Sequence, residues 1–417
     1  MKKILVLASL LLSFALGAKA DFLIQPHDVV GIAGDSITQQ HLYSSFIEDY
    51  LLMCQPTAGQ SIVNFGANGE HAPGFLSRLG TDVFPFKPTV MMTCYGMNDA
   101  HFDPGPYRKA LTDIVEASKK NGVRVFMLGS SKCVDSFYYG RDKPGDALLD
   151  NQALGVLADI DKDVAAKEGV VYADVYGVTL DVMKKAKAKF GDDYLFGGSD
   201  GVHPFVNGHL VMAYTFLKAL GCDGAIGAIT VDAGQNQATG TPGQEIVSYK
   251  DGTVDVKSTR YPFCFSGTLD SKDPKTTAAI TTVFPFNDDL NRYMLVVKGL
   301  TTAKANVTWG GTTKAYAAAD LAKGINLAAE FMVNPFVDQF NQVDRAVHIQ
   351  EEHETRLYQT ILHNADDWSQ TLAPGTSGAF AQIIAAGLAQ HQALNKAAAD
   401  LVVPIEHTIR VEPIPNT

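Results

Sequence analysis

The chain has 417 residues, 46% of them hydrophobic and 19% charged, and a formal net charge of −11. That length exceeds one small domain and suffices for two or three. The acidic balance argues against nucleic acid and anionic membrane surfaces as partners.

At the N-terminus, Lys2-Lys3 is followed by an apolar stretch over 4–16 and by the small-residue site Ala18-Lys19-Ala20. Residues 1–20 therefore read as a signal peptide, with Asp21 as the mature start. The apolar stretch is short for a bilayer span, and no later segment is a candidate for one. Cleavage would remove Lys2, Lys3 and Lys19 and take the net charge from −11 to −14. The expected location is exported, periplasmic or extracellular.

From Asp28 to about Gly221 the chain alternates short β-branched runs with helical stretches. Strands are predicted over 29–33, 61–65, 89–95, 123–128 and 170–175. Helical segments are predicted near 39–54, 73–82, 106–121, 146–167 and 177–189, with a last helix opening at Pro204 and running to about Leu220. This alternation predicts a parallel sheet with helices on both faces, wound by right-handed crossovers into a three-layer α/β/α sandwich.

The pattern changes after Gly221. Residues 222–266 carry short alternating runs rich in Gly, Thr and Asp, and 267–292 reads as polar loop with some helix. Residues 292–298 and 305–309 read as two strands around the turn-like Gly299-Leu300-Thr301. Helix is expected over 315–331, from Asn334-Pro335 to about His363, and, after an Ala373-Pro374-Gly375 break, from 377 to 401. The tail, 402–417, carries three prolines and is expected to lie extended on the surface. The organisation expected is a signal peptide (1–20), an α/β domain (21–221), a mixed β-rich region (222–334) and a helical C-terminal region with an extended tail (335–417).

The five cysteines, Cys54, Cys94, Cys133, Cys222 and Cys264, form no C-x-x-C pair, so zinc ribbons and thioredoxin-like chemistry are unsupported. Cys54 and Cys94 read as core fillers. Export permits disulfides, and Cys222–Cys264 is a candidate bridge that sequence leaves open.

Chemistry concentrates at the predicted strand ends. Gly34-Asp35-Ser36-Ile37-Thr38 follows the first strand and leads into a helix, a turn that exposes a serine hydroxyl near a helix N-terminus. It is not the Gly-x-Ser-x-Gly elbow, since position 38 is Thr. Taken alone, Ser36 reads more readily as a helix N-cap. Asn64-Phe65-Gly66-Ala67-Asn68-Gly69 follows the second strand, and its glycines let backbone N–H groups point into a site. Gly96-Met97-Asn98-Asp99 follows the third strand and offers a side-chain amide. Asp200-Gly201-Val202-His203-Pro204 precedes the last helix of this region, completing a Ser–Asp–His chain order. Ligands of doubly wound sheets bind beyond the carboxyl ends of the strands, where Ser36, Gly69 and Asn98 would converge.

These four blocks resemble those of the SGNH hydrolases, also called the GDSL esterase/lipase family, over roughly residues 28–221. The resemblance implies a flavodoxin-like α/β/α sandwich and ester hydrolysis. It places the nucleophile on Ser36, the base on His203 and the acid on Asp200, with Ser36, Gly69 and Asn98 as the oxyanion hole. Gly69 is chosen over Gly66 by motif position. Ile37 stands where many members have Leu, and Glu70 where Asp is frequent.

In the implied mechanism His203 takes the Ser36 proton, Asp200 holds the imidazole tautomer, and an acyl-serine forms and is hydrolysed. This chemistry needs no metal or organic cofactor. The segment from His348 to His353 fails both zinc patterns, H-E-x-x-H and H-x-x-E-H, and reads as a solvated helix face. His71 and His101 follow two of the blocks and are candidates to touch substrate, against a plainer reading as solvated loop histidines. His209 reads as structural, and Trp309 and Trp368 as core or interface residues.

The blocks do not choose a substrate. Export excludes most intracellular acyl thioesters, and the lack of a large apolar lid near the blocks disfavours long-chain lipids. The C-terminal half is weakly similar to the β-plus-helix regions of larger secreted bacterial SGNH enzymes acting on polysaccharides. The substrate expected is therefore an acetylated glycan or another small ester, making a carbohydrate O-acetylesterase. The alternatives are a short-chain carboxylesterase or lysophospholipase, and, outside enzymes, a glycan-binding protein with a vestigial site.

Overall fold

Val29–Gly34 (β1), Ser61–Asn64 (β2), Val90–Tyr95 (β3), Val125–Ser130 (β4) and Val171–Ala173 (β5) pair throughout in parallel, in the order β2-β1-β3-β4-β5. β3 is buried along its whole length, as its run of apolar residues, broken only by Thr93, requires of a strand covered on both faces. Its successive side chains point to opposite cores: Val90, Met92 and Cys94 to one, Met91 and Tyr95 to the other. The computed structural model describes residues 21–135, 144–371 and 377–415. The leader, 1–20, and the predicted break at Ala373-Pro374-Gly375 lie outside the described residues.

Helices cover both faces of the sheet. Pro104–Lys120 is representative: the Asp103 carboxylate accepts from Gly105 N–H at its start, proline occupies its first turn, and Lys119 and Lys120 sit at its negative end. Its buried residues, Tyr107, Ala110, Leu111, Ile114, Val115 and Ser118, recur at helical spacing. Two expectations need correction. The helix predicted over 39–54 is broken into a turn, Ser36–Gln39, a helix, Tyr43–Asp49, and a wide turn, Tyr50–Cys54, because His41 takes a left-handed backbone with φ 57°. The last helix begins at Val206, not Pro204, because the turn before it is fastened to Asp200.

The second half supplies Ala225–Asp232 (β6), Gln237–Gly240 (β7), Gln244–Lys250 (β8), Thr253–Ser258 (β9), Arg292–Lys298 (β10), Lys304–Trp309 (β11), Thr312–Ala317 (β12), Ile325–Asn326 (β13) and Ile405–Ile414 (β14). They form a mixed sheet, β13-β10-β6-β7, and an antiparallel sheet, β12-β11-β14-β9-β8. The strands either side of Gly299 therefore do not pair with each other; they belong to different sheets. The helix expected over 315–331 is instead the end of β12, two short helices, Ala318–Lys323 and Leu327–Glu330, and β13 between them.

The tail is the largest departure. It is the central strand of the antiparallel sheet, with His407, Ile409 and Val411 buried and Glu406, Thr408 and Arg410 exposed. That alternation is a strand signal which the prolines hide. Pro413 falls past the stretch that pairs with β9, where a proline is tolerated.

The two C-terminal sheets share a buried polar node. His407 stands within hydrogen-bond distance of Ser258 (2.9 Å), Tyr293 (3.0 Å) and Trp309 (3.2 Å). Trp309 is fully buried, stacked on Tyr293. Helix Val337–Arg356, continued by the wide turn Leu357–Leu362, packs against helix Tyr43–Asp49 and β2, and Ser377–Asp400 packs on it. All five cysteines are buried and free, so Cys222 and Cys264 are not bridged.

Candidate active site

β1 and β3 are adjacent although β2 comes between them in sequence, so the chain reverses its winding direction there. Crevices form beyond the carboxyl ends of strands at such a switch. Ser36 follows β1 and Asn98 follows β3. Gly34 is required where the chain leaves β1: a Cβ would lie 2.0 Å from Thr38 Oγ1 and 2.8 Å from the Cys94 carbonyl. Asp35 then caps the helical turn, accepting from Ile37 N–H at 2.9 Å. Burial pushes the Asp35 carboxyl up to about 7, although the Ile37 bond and the charges of His203 and Lys132 favour its anion.

Ser36 Oγ lies 2.8 Å from His203 Nε2, and His203 Nδ1 lies 2.7 Å from Asp200 Oδ2. The other Asp200 oxygen accepts from the backbone N–H groups of Val202 (2.9 Å) and His203 (2.8 Å). One carboxylate thus shapes the turn and holds the ring. Burial works to raise the Asp200 pKa, but the hydrogen bonds from His203 and Val202 prevail and hold it below the ordinary value. A carboxylate only accepts, so Nδ1 carries the ring hydrogen and Nε2 is left to accept from the serine hydroxyl.

Gly69 has φ 68°, and no heavy atom lies within 4 Å of where its Cβ would be. Gly66 differs: its N–H donates to Asn64 Oδ1, and a Cβ there would meet Gln39 N at 2.3 Å. Asn98 Nδ2 donates to the Glu70 carbonyl at 3.0 Å, which fixes the amide and uses one of its two hydrogens. Glu70 receives Arg78 Nε at 2.6 Å and Nη2 at 2.7 Å, and Tyr95 donates to it at 2.6 Å.

A cavity of about 690 Å³ opens beside Gly69, walled by Glu70, His71, Pro73, Phe102 and Tyr107 among others. Phe102 is 67% exposed, with the His71 ring edge-on to it at 5.3 Å. His71 Nδ1 is 3.5 Å from Asp99, whose carboxyl burial raises while His71 draws it down. His101 is not in this wall; its Nε2 pairs with Asp150 at 3.0 Å. His209 is fully buried against Gln40 (3.0 Å), and burial takes its pKa down to about 3. Among the described residues no group of His, Cys, Asp and Glu is arranged to hold a metal ion.

Two features escaped the sequence. Lys132 is buried behind the site, donating to the Cys133 carbonyl at 2.6 Å within electrostatic reach of Asp35, Asp135 and Asp200. Burial lowers its pKa against those charges. Its only signal is a cation at the carboxyl end of β4, where ligand crevices lie. The helix around His348 and His353 is solvated on one side only: Ile349 and Glu352 are exposed, but Gln350, Glu351 and Glu354 are fully buried.

A parallel α/β/α sandwich with Ser36, Gly69 and Asn98 after its strands and Asp200 and His203 before its last helix is that of a carboxylic ester hydrolase. Residues 32–211 match the model of the GDSL-like Lipase/Acylhydrolase family. Among solved structures, the chain is similar to a gut microbial diltiazem-metabolizing enzyme, with 22% identity over 95% of this chain and 100% of that one, at TM-score 0.73. That likeness is one of fold, and it takes in the C-terminal sheets and helices. An acetylxylan esterase from Geobacillus stearothermophilus aligns at 22% identity over 48% of this chain and 97% of its own, with TM-score 0.40. An alpha/beta hydrolase enzyme from the metagenome of Lake Arreo, Spain, aligns at 23% over 48% of this chain and 99% of its own, with TM-score 0.39. A search of curated proteins gave no match.

Proposed function

We propose that Ser36, His203 and Asp200 hydrolyse an ester through an acyl-serine, and that the substrate is an acetylated glycan met after export. The unbroken run of contacts, Ser36–His203 at 2.8 Å and His203–Asp200 at 2.7 Å, carries the reading. His203 Nε2 accepts the Ser36 proton as Oγ attacks the carbonyl, then returns it to the leaving alcohol; Asp200 stabilises the imidazolium. Water, deprotonated by His203, releases acetate. Negative charge on the carbonyl oxygen is met by the Ser36 and Gly69 N–H groups and the remaining Asn98 amide hydrogen. The open space beside Gly69 and the engaged N–H of Gly66 favour Gly69 as donor.

For the substrate, support comes from the cavity wall. An exposed aromatic face, Phe102, stands beside polar groups of His71 and Asp103, a pairing suited to a sugar ring with one apolar face and hydroxyls at its edge. The apolar Pro73 and Pro106 in the same wall favour the second reading, a carboxylesterase for small aryl or alkyl esters. Acetate release from acetylated xylan or pectin, with a panel of nitrophenyl esters, separates them. The glycan reading expects acetate from polymer and preference for acetyl over octanoyl. Activity on nitrophenyl esters without release from any acetylated glycan would leave the second reading.

A further inference from the structure

The loop carrying Gly69 is clamped between two parts of the chain. On one side is the Ser36 turn: Ala67 N–H donates to the Gly34 carbonyl (2.9 Å), Asn64 Nδ2 to the Thr38 carbonyl (2.9 Å), and Asn68 N–H to Gln39 Oε1 (2.6 Å). On the other is the C-terminal helix. Glu354 Oε2 accepts from Asn64 N–H at 2.7 Å, and Glu351 Oε2 from Ser44 Oγ at 2.8 Å and Asn64 Nδ2 at 3.3 Å. Tyr358 donates its hydroxyl to the Gly66 carbonyl. Asn64 itself turns its Oδ1 to Gly66 N–H (2.8 Å), so the helix grips both the start of the loop and the residue that shapes it. These partners are buried and some 290 positions from the loop in sequence.

We propose that Glu354 and Tyr358 are positioning residues for the oxyanion donor Gly69, which makes the C-terminal helix part of the esterase machinery. This rests on the role given to Gly69 above. The loop from Asn64 to Gly69 has few ladder bonds of its own, because β2 ends at Asn64. A donor displaced by about 1 Å loses much of its effect on a transition state, and the helix supplies the bonds that prevent the displacement. The helix touches neither Ser36 nor the cavity wall through these groups, so its effect falls on turnover, not on substrate binding.

The test is Tyr358→Phe, which deletes one hydroxyl and keeps the ring. Turnover of nitrophenyl acetate is expected to fall about tenfold, short of the ~10²–10³ for removing a donor outright. KM stays within about twofold, and the inhibition constant of a boronic acid, whose tetrahedral adduct places an oxygen in the oxyanion site, rises by the same factor as turnover falls. Active-site titration counts the full number of sites. Glu354→Ala should show the same pattern, and Glu354→Gln, which keeps an acceptor for Asn64 N–H, should retain most turnover. Phe340→Leu, in the same helix but away from the loop, should lower thermal stability with turnover per titrated site unchanged. Unchanged turnover and inhibition in folded Tyr358→Phe would overturn the proposal, as would a turnover loss that only follows the titrated fraction. An active Ser36→Ala would strike instead at the mechanism beneath it.

Discussion

Ser36 and His203 are 167 positions apart in sequence and 2.8 Å apart in space, serine oxygen to ring nitrogen. The contact exists because β1 and the turn before helix Val206–Ala219 deliver their ends to one crevice. The turn is set by Asp200, which binds the backbone of Val202 and His203 with one oxygen and the His203 ring with the other.

Asp200→Asn separates those two duties. The amide oxygen still accepts the backbone N–H groups, so the turn should keep its shape, but nothing enforces hydrogen on Nδ1. Turnover on nitrophenyl acetate should fall by roughly 10⁴, with circular dichroism unchanged. A loss below tenfold would show that Asp200 only shapes the turn.

On the proposed mechanism, Asn98→Ala removes the amide whose second hydrogen meets the oxyanion. Because that bond strengthens as charge develops, turnover should fall about 10²–10³ with KM little changed. A rise in KM at constant turnover would make Asn98 a substrate-binding group.

Phe102→Ala tests the cavity wall. A stacking aromatic contributes about 0.5–1.5 kcal/mol, so KM for an acetylated oligosaccharide should rise roughly 2- to 10-fold with turnover preserved. His101→Ala, outside the wall, should leave both constants alone. The opposite pattern would move the substrate to the His101 side.

His407 predicts a pH-dependent stability. Its Nδ1 accepts from Trp309 Nε1–H, so its one hydrogen sits on Nε2, and a second would face the indole N–H. Burial lowers its pKa from 6.5 to about 4. The folded state therefore resists a proton that the unfolded state takes up. This contribution is intact above pH 6.5 and is lost as pH falls from 6.5 toward 4, by up to about 3 kcal/mol. The stability gap between wild type and His407→Gln, read by urea unfolding, should narrow over that range. Parallel curves would contradict it.

The parallel sheet was legible because strand-length apolar runs alternate with amphipathic helices, and the candidate site because Ser36, Gly69 and Asn98 come shortly after strands and Asp200 and His203 just before a helix. What stayed hidden depends on distant pairing. Strand β14 shows the alternation of a strand, but Pro404, Pro413 and Pro415 suggest a loose tail, and only pairing with β9 and β11 decides it. Glu351 and Glu354 look like surface charges on a polar helix, since nothing local says that Asn64 and Ser44 await them. Lys132 sits outside every motif, and its burial follows from packing at the end of β4.

The most direct test of the central claim is hydrolysis by Ser36→Ala, measured as release of nitrophenol and of acetate from acetylated glycan, beside a circular dichroism spectrum of the same preparation. The variant should fold as wild type does and lose activity by at least about 10⁴-fold. A folded Ser36→Ala protein that hydrolyses esters at the wild-type rate would contradict the account.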